Sequence, residues 1–394
     1  MKNIDLVILA GGKGSRIKKF LNNLPKPMAK FNEIYFLQYL INIYSKYPLN
    51  KIYILTGYRN EIIFKNFHNK TFNFIKVVCM KEKKFMGTGG ALYQLREKTD
   101  NFILINGDTI FDIDFNNFIK SLKNKLGSVA LTPNKRNIYN YKLNNLNVKN
   151  NSLVYQKKSA LMNGGVYFFN KKLLKNIKNK PFSLENELLP KFIKDKKLNG
   201  KIYKNFFLDI GTPKYFKISS KKLKNYFYRP AAFLDRDGVI NFDKGYVYKK
   251  NDFKFRKGVL KGLKYLIKKK YYIFIITNQA GIAKGLFKES DFRKLHLYLK
   301  THLATKNIYF DDVQYCPYHP NGKIKKFKRK SSLRKPGNQM IKNILRNWLV
   351  NKNKSFMIGD KISDELCAKK SKVYFSYAKR DFHDQVKEII SRTQ

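Results

Sequence analysis

The sequence predicts an α/β protein of two domains. Short runs of β-branched and aromatic residues alternate with longer lysine-rich amphipathic segments along the chain, which is the pattern of strand–helix–strand units in a parallel sheet. Several of the short runs lead directly into Gly, Asp or Thr. These residues would lie at the carboxyl ends of the strands, which is the edge of such sheets where ligands bind. The 394 residues also exceed the size at which one hydrophobic core stops growing, about 250 to 300 residues. We therefore expect two Rossmann-like three-layer domains whose sheets are mostly parallel.

The domain boundary is predicted where a basic helical stretch ends at Arg229 and a new apolar strand begins after Pro230. This places the first domain at residues 1–222, a linker at 223–230 and the second domain at 231–394. Neither half repeats the other. The predicted strands are Leu6 to Ala10, Lys51 to Thr56, Phe102 to Ile105, Gly165 to Phe169, Ala232 to Leu234, Ile273 to Thr277 and Ser355 to Ile358.

The charge balance is strongly basic, with 82 Lys and Arg against 27 Asp and Glu, a formal net charge of +55. Such an excess is typical of proteins that bind nucleic acid or anionic membranes. Here it is spread evenly: residues 1–222 carry 42 basic and 13 acidic side chains, and residues 223–394 carry 40 and 14. Only 13 of the 82 are arginine, the residue that grips phosphates and bases bidentately. Lysine enrichment of a solvated surface is therefore favoured over a nucleic-acid function.

The cysteines and the apolar runs indicate the compartment. Cys79, Cys316 and Cys367 are odd in number and far apart, which favours a reducing compartment without disulfides. The apolar run Leu6 to Ala10 is too short for a signal peptide, and the sequence has no stretch of about 18 apolar residues. We expect a cytoplasmic protein that does not insert into membranes.

A glycine-rich segment directly follows the first predicted strand. Gly11, Gly12 and Gly14 permit positive φ and close backbone approach, so that successive N–H groups can face phosphate oxygens. Arg16 and Lys26 add positive charge to the same region. By itself such a turn is weak evidence, because many glycine-rich turns are only tight connections. The spacing is neither that of the dinucleotide fingerprint nor that of a Walker loop.

This segment resembles the signature of the sugar-1-phosphate nucleotidyltransferases. The strings LAGGKGSR and PKPM correspond to the family's L-A-G-G-x-G-T-R and P-K-P-M, with Ser15 in place of threonine. The resemblance continues through the strings GTGGA from Gly87, NGD ending at Asp108, NGG from Asn163 and DIGTP from Asp209. It therefore covers the whole first half of the chain.

The resemblance implies a role for each segment. Gly87 belongs to the part that faces the nucleobase, and Lys158 is the best match to the lysine that binds the sugar phosphate. Asp108 and Asp209 would hold Mg²⁺ through carboxylate oxygens. In the reaction the sugar-1-phosphate oxygen attacks the α-phosphorus in line, so positioning and charge neutralisation by Mg²⁺, backbone amides and the side chains of Arg16 and Lys26 suffice. The sugar-binding residues would be Asn163, Gly164 and Glu185.

The second half contains a pair of aspartates at a predicted strand end. Asp235 and Asp237 are two residues apart, so an extended backbone directs both to one side. Such a pair is unfavourable unless a cation or proton is shared. Further along the chain, Thr277 follows one strand, Lys335 lies in the string RKP, and Asp360 follows another strand, with Asp364 nearby.

This order resembles the haloacid-dehalogenase-like phosphatases, and the strings FLDRDGVIN, TNQAGIAKG, CPYHP and RKP narrow it to the branch that acts on histidinol phosphate and heptose bisphosphate. The resemblance implies that Asp235 is the nucleophile and that Asp237 is the general acid and base. Thr277 and Lys335 would hold the phosphoryl group. Mg²⁺ would bind Asp360, Asp235 and the Asp237 carbonyl. Further substrate contacts would come from Asn278 and Gln279, with Arg334 and Lys361 at the other anionic end.

One loop departs from the family pattern. Many relatives of the heptose branch carry a zinc loop of the form C-x-H and C-x-C, but only Cys316 of those four ligands is present. Tyr318, Ser331 and Leu333 occupy the other positions. His319 alone cannot complete a tetrahedral site, so we predict no structural zinc. The run KIKKFKRK from Lys323 to Lys330 lies in this loop and is interpreted as a solvated turn, with a phosphate-gathering rim as the alternative.

The two resemblances together imply a bifunctional enzyme of nucleotide-activated heptose synthesis. A phosphatase would remove the 7-phosphate of D-glycero-D-manno-heptose 1,7-bisphosphate, and a nucleotidyltransferase would join a nucleoside monophosphate to the remaining 1-phosphate. The presence of both domains in one chain favours the α anomer of the heptose phosphate and GTP as the nucleotide substrate. The alternatives are another sugar phosphate with CTP, UTP or dTTP, or a basic nucleic-acid-binding or regulatory protein with relic motifs. Histidinol phosphate is less favoured, and a homo-oligomer is left open.

Overall fold

The computed structural model describes residues 4–122, 125–133 and 144–393 and confirms the predicted α/β class. The chain forms two compact units. Helix α7 (Pro213–Phe227) extends into the segment predicted as a linker, so residues 223–227 are helical. Unit 1 consists of residues 1–41 and 49–222, and unit 2 consists of residues 42–48 and 223–394.

Unit 1 is built on a ten-stranded sheet with two short two-stranded additions. The strands are β1 (Ile4–Ala10), β2 (Lys30–Phe31), β3 (Ile34–Tyr35), β4 (Lys51–Thr56), β5 (Thr71–Phe72), β6 (Ile75–Lys81), β7 (Asn101–Asn106), β8 (Thr109–Phe111), β9 (Gly127–Pro133), β10 (Asn144–Lys149), β11 (Ser152–Tyr155), β12 (Leu161–Asn170), β13 (Leu198–Ile202) and β14 (Phe207–Asp209). The order in the large sheet is β10-β11-β13-β9-β12-β7-β1-β4-β6-β5.

The centre of this sheet is parallel. Strand β1 pairs in parallel with β4 and β7, and Ile8 lies beside both Ile54 and Ile105. Nearly every residue of β1 is buried, as expected for a strand covered on both faces. Strand β12 runs antiparallel to both β7 and β9, so the sheet is mixed on that side. The carboxyl ends of β1, β4, β6 and β7 therefore meet at one edge.

The helices of unit 1 pack on this sheet. Buried aromatic and aliphatic side chains such as Phe102, Tyr167 and Phe192 form a core between the sheet and the helical segments that carry Leu92, Leu173 and Phe192. The helices other than α7 are α1 (Phe36–Ser45), whose residues 42–45 belong to unit 2, α2 (Asn60–Phe67), α3 (Gly87–Gly90), α4 (Phe115–Ile119), α5 (Lys171–Leu174) and α6 (Leu189–Lys194).

Unit 2 contains a five-stranded sheet in which every pairing is parallel. Its strands are β15 (Ala231–Leu234), β16 (Tyr272–Asn278), β17 (Asp312–Cys316), β18 (Phe356–Gly359) and β19 (Tyr374–Tyr377), in the order β17-β16-β15-β18-β19. The all-buried strand β15 is central, which places the segment after it in the middle of the carboxyl edge.

Helices cover the sheet of unit 2 as well. A core that includes Phe233, Phe274 and Trp348 lies beneath them. Among the described residues, no helix is both long and apolar enough to cross a lipid bilayer. The helices are α8 (Val259–Lys268), α9 (Ala280–Ala283), α10 (Glu289–Ala304), α11 (Gln339–Asn347), α12 (Ile362–Ser371) and α13 (Phe382–Thr393).

Candidate active sites

The first site lies at the carboxyl end of β1, where the predicted glycine-rich loop begins. Gly14 has φ 64°, in the left-handed region that favours glycine. Gly11 and Gly12 line a cavity of about 210 Å³, and Gly87 lines it from α3. A Cβ atom at Gly11 would lie 2.9 Å from Oε1 of Glu82. Glycine at this position therefore lets the backbone pass close to that carboxylate.

Four predicted charged residues meet beside this loop. Lys26 Nζ donates to Asp108 Oδ2 at 2.7 Å. The pairing of β8 with β14 brings Asp209 next to Asp108. Arg16 Nη2 and Lys26 Nζ lie 3.4 and 3.5 Å from the position that a Cβ atom on Gly211 would occupy. The structure thus brings together two carboxylates and two cations. The pair that is most distant in the sequence, Arg16 and Asp209, is separated by 193 positions.

The two carboxylates differ in their pKa values. Burial disfavours ionisation of Asp108, but the charge and hydrogen bond of Lys26, with Arg16, outweigh it and hold its pKa below the ordinary value. Burial, followed by the negative charge of Asp108, raises the pKa of Asp209 to about 7. A cation between the two would relieve this repulsion. Carboxylate oxygens are ligands that suit Mg²⁺, so Asp108 and Asp209 fit such an ion.

The predicted sugar-binding residues surround a buried tyrosine. Asn163 Nδ2 donates to the Tyr167 hydroxyl oxygen at 2.7 Å. Thr88 Oγ1 donates to Glu185 Oε2 at 2.6 Å. Burial, and then the charge of Glu185, raises the pKa of Tyr167, so the two side chains are close in space. Gly164 packs against an aromatic ring that leaves no room for a Cβ atom. These residues form one polar cluster next to α3.

Lys158 is placed differently. It is exposed, has φ 61° and lies between β11 and β12. It does not belong to the lining of the cavity formed by the described residues. Its contact with a sugar phosphate remains a prediction.

Glu82 is a site residue that the sequence analysis missed. It follows β6, is only 9% exposed, and its carboxylate lines the cavity. Oε2 accepts a hydrogen bond from Met86 N at 3.2 Å, and burial raises its pKa above the ordinary value. The sequence feature that could have identified Glu82 is an acidic residue between two lysines, five residues before Gly87, in a chain with few acidic residues.

The second site lies at the carboxyl edge of the unit 2 sheet and has a cavity of about 440 Å³. Asp235 follows β15, Thr277 lies at the end of β16, and Asp360 follows β18. Lys335 Nζ lies 2.9 Å from Asp235 Oδ1 and 2.6 Å from Asp364 Oδ1. Its side chain is 1% exposed, so a buried cation lies between two buried carboxylates. The predicted nucleophile and the predicted phosphate-binding lysine are thus in direct contact.

The side chain of Asp237 is held by three neighbours. Oδ1 accepts hydrogen bonds from Arg236 Nη2 at 2.8 Å and from Asn241 Nδ2 at 2.9 Å. Oδ2 accepts from Arg236 Nη2 at 2.7 Å and from Gln279 Nε2 at 3.0 Å. The buried guanidinium lies 5.4 Å from the centre of the Phe292 ring. Arg236 and Asn241 were not selected from the sequence, although both lie in the string FLDRDGVIN.

Three carboxylates of this site could hold a metal ion. One oxygen each of Asp235, Asp360 and Asp364 lies within 4.8 Å of the others. Asp360 Oδ1 is buried and has no hydrogen-bond partner among the described residues. Burial raises the pKa of Asp235 to about 6; Lys335 opposes this rise and Asp364 adds to it. The oxygen-only ligands fit Mg²⁺.

Asn278 and Gln279 support the residues around the nucleophile. Asn278 Nδ2 donates to the Lys335 carbonyl at 3.1 Å, and Asn278 Oδ1 accepts from Lys335 N at 3.0 Å. Gln279 Nε2 donates to Thr277 Oγ1 at 2.9 Å. The Thr277 hydroxyl accepts this bond and keeps its own proton available for a phosphoryl oxygen. Both residues line the cavity.

The two cations predicted for the far end of the substrate differ in their surroundings. Both Arg334 and Lys361 line the cavity. Lys361 Nζ lies 3.4 Å from Asp243 Oδ2 and 4.0 Å from Asp360 Oδ2. Arg334 has no carboxylate within 4 Å among the described residues, and its Nη1 atom is buried without a hydrogen-bond partner there. Arg334 is therefore the more available of the two for an anion.

The loop after β17 does not offer a zinc site. Cys316 is buried, and its Sγ lies 3.7 Å from the Tyr318 carbonyl oxygen as a weak donor. Ser331 and Leu333 supply no thiolate. Over the described residues, the one group of three or more His, Cys, Asp or Glu side chains close enough to share a metal ion is Asp235, Asp360 and Asp364, and it contains no thiolate or imidazole. The ligand types present therefore do not fit zinc.

Comparison with known families assigns each unit to a class. Residues 6–139 match the Nucleotidyl transferase family, and residues 231–388 match the Polynucleotide kinase 3 phosphatase family. The fold and the two sites thus define an enzyme in which a nucleotidyltransferase domain precedes a haloacid-dehalogenase-like phosphatase domain.

Individual relatives narrow the second class. The chain is 39% identical over 167 residues to the D-glycero-beta-D-manno-heptose-1,7-bisphosphate 7-phosphatase of Rhodopseudomonas palustris, covering 42% of this chain and 93% of that protein. It is 38% identical over 135 residues to the Escherichia coli K12 protein of the same name, covering 34% and 71%. Through unit 2, the chain belongs to the family of heptose-1,7-bisphosphate 7-phosphatases. The solved structure of HddC from Yersinia pseudotuberculosis aligns at 28% identity and a TM-score of 0.47, covering 56% of this chain and 99% of that one.

Proposed function

We propose that the chain catalyses two consecutive reactions on one sugar. Unit 2 hydrolyses the 7-phosphate of D-glycero-D-manno-heptose 1,7-bisphosphate, and unit 1 transfers GMP from GTP to the resulting heptose 1-phosphate, releasing pyrophosphate. The observation that carries the proposal is Lys335, buried between Asp235 and Asp364 in a chain whose unit 1 also contains a glycine-lined cavity. The relatives of unit 2 supply the heptose substrate class.

The phosphatase reaction begins at Asp235. A carboxylate oxygen attacks the phosphorus of the 7-phosphate, a phospho-aspartate forms, and the sugar oxygen leaves. Lys335, within 2.9 Å of the nucleophile, and the Thr277 hydroxyl neutralise and bind the phosphoryl oxygens. Asp235, Asp360 and the Asp237 carbonyl would hold Mg²⁺, with the Asp364 carboxylate beside them, and the ion would supply further charge neutralisation when bound.

Asp237 provides the proton for the leaving sugar oxygen and later accepts one from the water that hydrolyses the phospho-aspartate. Its carboxylate is oriented by Arg236, Asn241 and Gln279, which bond to both oxygens. These bonds favour the ionised carboxylate, the form that accepts the proton from water, so Asp237 has to take up a proton on one oxygen in place of a hydrogen bond before it acts as the acid. Arg236 therefore acts as a positioning residue.

The nucleotidyl transfer requires that two anions approach each other. The amide groups after β1 cradle the phosphates, and Arg16 and Lys26 neutralise them while the sugar 1-phosphate oxygen attacks the α-phosphorus in line. Asp108 and Asp209 would hold Mg²⁺ in this unit, and the ion would supply further neutralisation of the triphosphate. Asn163 and Glu185 would bind sugar hydroxyl groups.

Glu82 supports the choice of GTP. Guanine presents two adjacent donors, the ring N1–H and the 2-amino group, and a carboxylate can accept both. Uracil and thymine present one ring N–H between two carbonyl oxygens. A carboxylate accepts from the N–H but repels the two oxygens. Adenine and cytosine have no ring N–H on that edge. The Glu82 carboxylate lies in the cavity beside Gly11, where it would face the base.

The Asp235→Asn variant tests the separation of the two reactions. The amide keeps the side-chain volume but is a very poor nucleophile, so release of phosphate from the bisphosphate should fall by at least about 1000-fold. Nucleotidyl transfer to heptose 1-phosphate should stay within twofold of the wild type. Phosphate and pyrophosphate are measured separately, with circular dichroism as a folding control. Loss of both activities in a folded protein would refute two independent sites.

The Glu82→Gln variant tests the nucleobase. Because the amide offers a donor as well as an acceptor, kcat/KM with GTP should drop about tenfold, and the preference for GTP over UTP and dTTP should shrink. Glu61→Gln, at an exposed position of α2 paired with Arg59, is the matched control and should change neither value. An unaltered GTP preference in Glu82→Gln contradicts the role given to this carboxylate.

A substrate panel then defines the sugar and the base. The four nucleoside triphosphates are combined with heptose 1-phosphate and with the 1,7-bisphosphate, each as the α and the β anomer. We expect GTP and heptose to give the highest kcat/KM. Greater turnover with another sugar phosphate, or with CTP, UTP or dTTP, would replace the proposed substrates while leaving the two reaction types intact.

A further inference from the structure

An exposed aromatic side chain lines the cavity of unit 1. Phe85 is 65% exposed, more than any other large apolar side chain in the described part of this unit. It shares the lining of the cavity with Glu82 and Gly11. A single exposed apolar residue is ordinary on a protein surface, but one that lines a cavity offers its apolar area to a bound ligand.

The short segment that carries Phe85 is held at both of its ends. Residues 83–85 are exposed, whereas Glu82 and Met86 on either side of them are buried. Met86 N donates to Glu82 Oε2 at 3.2 Å, which closes the segment into a tight loop. The Met86 carbonyl accepts a hydrogen bond from Phe182 N at 3.1 Å. Phe85 therefore stays beside the cavity even though its ring is exposed.

The two ends of this cavity differ in chemistry. Lys26 and Asp108 lie beside the end of β7, whereas Glu82 and Phe85 follow β6. In the sheet order β7-β1-β4-β6 these strand ends are three strand spacings apart, about 14 Å. A nucleoside triphosphate is elongated, with its phosphates and its base at opposite ends. With the phosphates near Lys26, the base extends towards Phe85.

The base offers contacts of two kinds. Its edge carries hydrogen-bonding groups, and donors there can bind the carboxylate of Glu82. Its face is a π surface, on which an aromatic side chain can stack. Among the described residues that line the cavity, Phe85 alone is aromatic. Every base has such a face, so stacking strengthens binding without selecting one base.

We propose that Phe85 is a stacking platform for the nucleobase and raises the affinity of unit 1 for its nucleotide, while the edge contact of Glu82 selects the base. This role rests on the proposed nucleotidyl transfer and adds a second, separable contact to the same nucleotide. When the base covers the exposed ring, apolar area of both groups leaves water. The gain in affinity therefore depends on the ring and not on the charges of the site.

Two ligands separate a contact with the base from a contact with the phosphates. Phe85→Ala should raise the dissociation constant of GTP about tenfold, because base–aromatic stacking is lost. The affinity for inorganic tripolyphosphate, which has no base, should stay within twofold of the wild type. Isothermal titration calorimetry with Mg²⁺ and without sugar phosphate measures both. Ile202→Ala, which truncates another exposed apolar side chain of unit 1 outside the cavity lining, is the matched control.

An aromatic replacement gives a second test. Phe85→Trp should keep the wild-type affinity, and its indole fluorescence should change when GTP is added, whereas the wild type contains only Trp348, in unit 2. In the transfer reaction, Phe85→Ala should raise KM for GTP with kcat retained. Wild-type affinity for GTP in Phe85→Ala, or an equal loss for GTP and tripolyphosphate, would overturn the platform. If the wild type binds none of the four nucleoside triphosphates, the proposed nucleotidyl transfer itself fails.

Discussion

At the scale of single residues, the phosphatase site depends on Lys335. Burial opposes the positive charge of this side chain, but Asp235 and Asp364 outweigh burial and raise its pKa above the ordinary value. Removal of the lysine would leave two buried carboxylates facing each other, which costs stability as well as activity. A volume-conserving change at Asp235 therefore distinguishes an effect on catalysis from an effect on stability better than a change at Lys335 does.

His296 predicts a pH dependence of stability. It is buried in α10, and burial followed by the charge of Arg236 holds its pKa well below 6.5. The unfolded chain protonates this histidine near 6.5 while the folded chain leaves it neutral, so the unfolded state binds more protons below that pH. The free energy of unfolding should therefore fall as pH decreases, by about 1.4 kcal/mol in total between pH 7.5 and 5.5 for this group, most of it below pH 6.5. Urea titrations between pH 7.5 and 5.5 measure it.

The comparison that isolates His296 uses two glutamine variants. His296→Gln cannot take up a proton, so its stability should depend less on pH over this range than that of the wild type. His302→Gln, on the same helix, is the matched control and should keep the wild-type slope. If His296→Gln and the wild type have the same slope, the histidine does not contribute to the pH dependence.

At the scale of elements, both sites are made by loops that follow parallel strands. In unit 2 the segment after β15 passes so close to the segment after β18 that a Cβ atom on Gly238 would lie 2.4 Å from Asp360 Oδ2. Gly238 also has φ 82°, which disfavours other residues. The close approach places Asp360 next to the segment that carries Asp235. The spacing of the loops, more than any one side chain, sets the geometry of the carboxylates.

Gly238→Ala tests this spacing. The added methyl group would displace Asp360, so we expect phosphatase kcat/KM to fall about 100-fold and the Mg²⁺ concentration for half-maximal activity to rise. Gly285→Ala is the matched control, because its φ is 75° but its Cβ would meet only the flexible Ile324 side chain, at 3.3 Å. Steady-state kinetics and thermal unfolding are measured for both. Similar losses in the two variants would assign the effect to backbone strain.

At the scale of the whole molecule, the net charge of +55 is best interpreted from where the basic and acidic residues lie along the chain. The excess is shared by both halves, and each half handles polyanionic substrates in the proposed reactions. At physiological salt the interaction between two charges is screened beyond about 8 Å. Most lysines therefore have little electrostatic effect on a substrate bound in either site. The informative charges are the few acids and cations inside the two cavities.

A salt titration separates an enzyme from a nucleic-acid-binding protein. A protein that binds nucleic acid through many phosphate contacts loses about three orders of magnitude of affinity or more between 50 and 200 mM salt. We expect only such weak, salt-sensitive binding to a labelled oligonucleotide, while Mg²⁺-dependent turnover changes less than about threefold. Fluorescence anisotropy and the two product assays measure these quantities. Submicromolar oligonucleotide binding at 200 mM salt, together with absent turnover, would favour the nucleic-acid alternative.

Seven of the nineteen strands in the described residues were predicted, because the signal of these seven is local. Lys51–Thr56 has the predicted bounds, and β1 and β16 extend the predicted runs by one or two residues. Each strand is a continuous buried apolar run that ends in a turn residue, a pattern contained in neighbouring positions. The antiparallel direction of β12 could not be predicted in this way, because it depends on which strands become neighbours.

The sequence by itself determined the α/β class, the two glycine- and aspartate-bearing segments and their family resemblance, because these follow from residue types at short spacing. Only the tertiary structure decided which side chains share a site. Glu82 lines the unit 1 cavity beside Gly11, Lys284 lines the unit 2 cavity together with His319, and Lys361 lies next to Asp243. The physical reason is that burial, close approach and charge pairing act between residues that are distant in the chain, and local sequence patterns do not encode those distances.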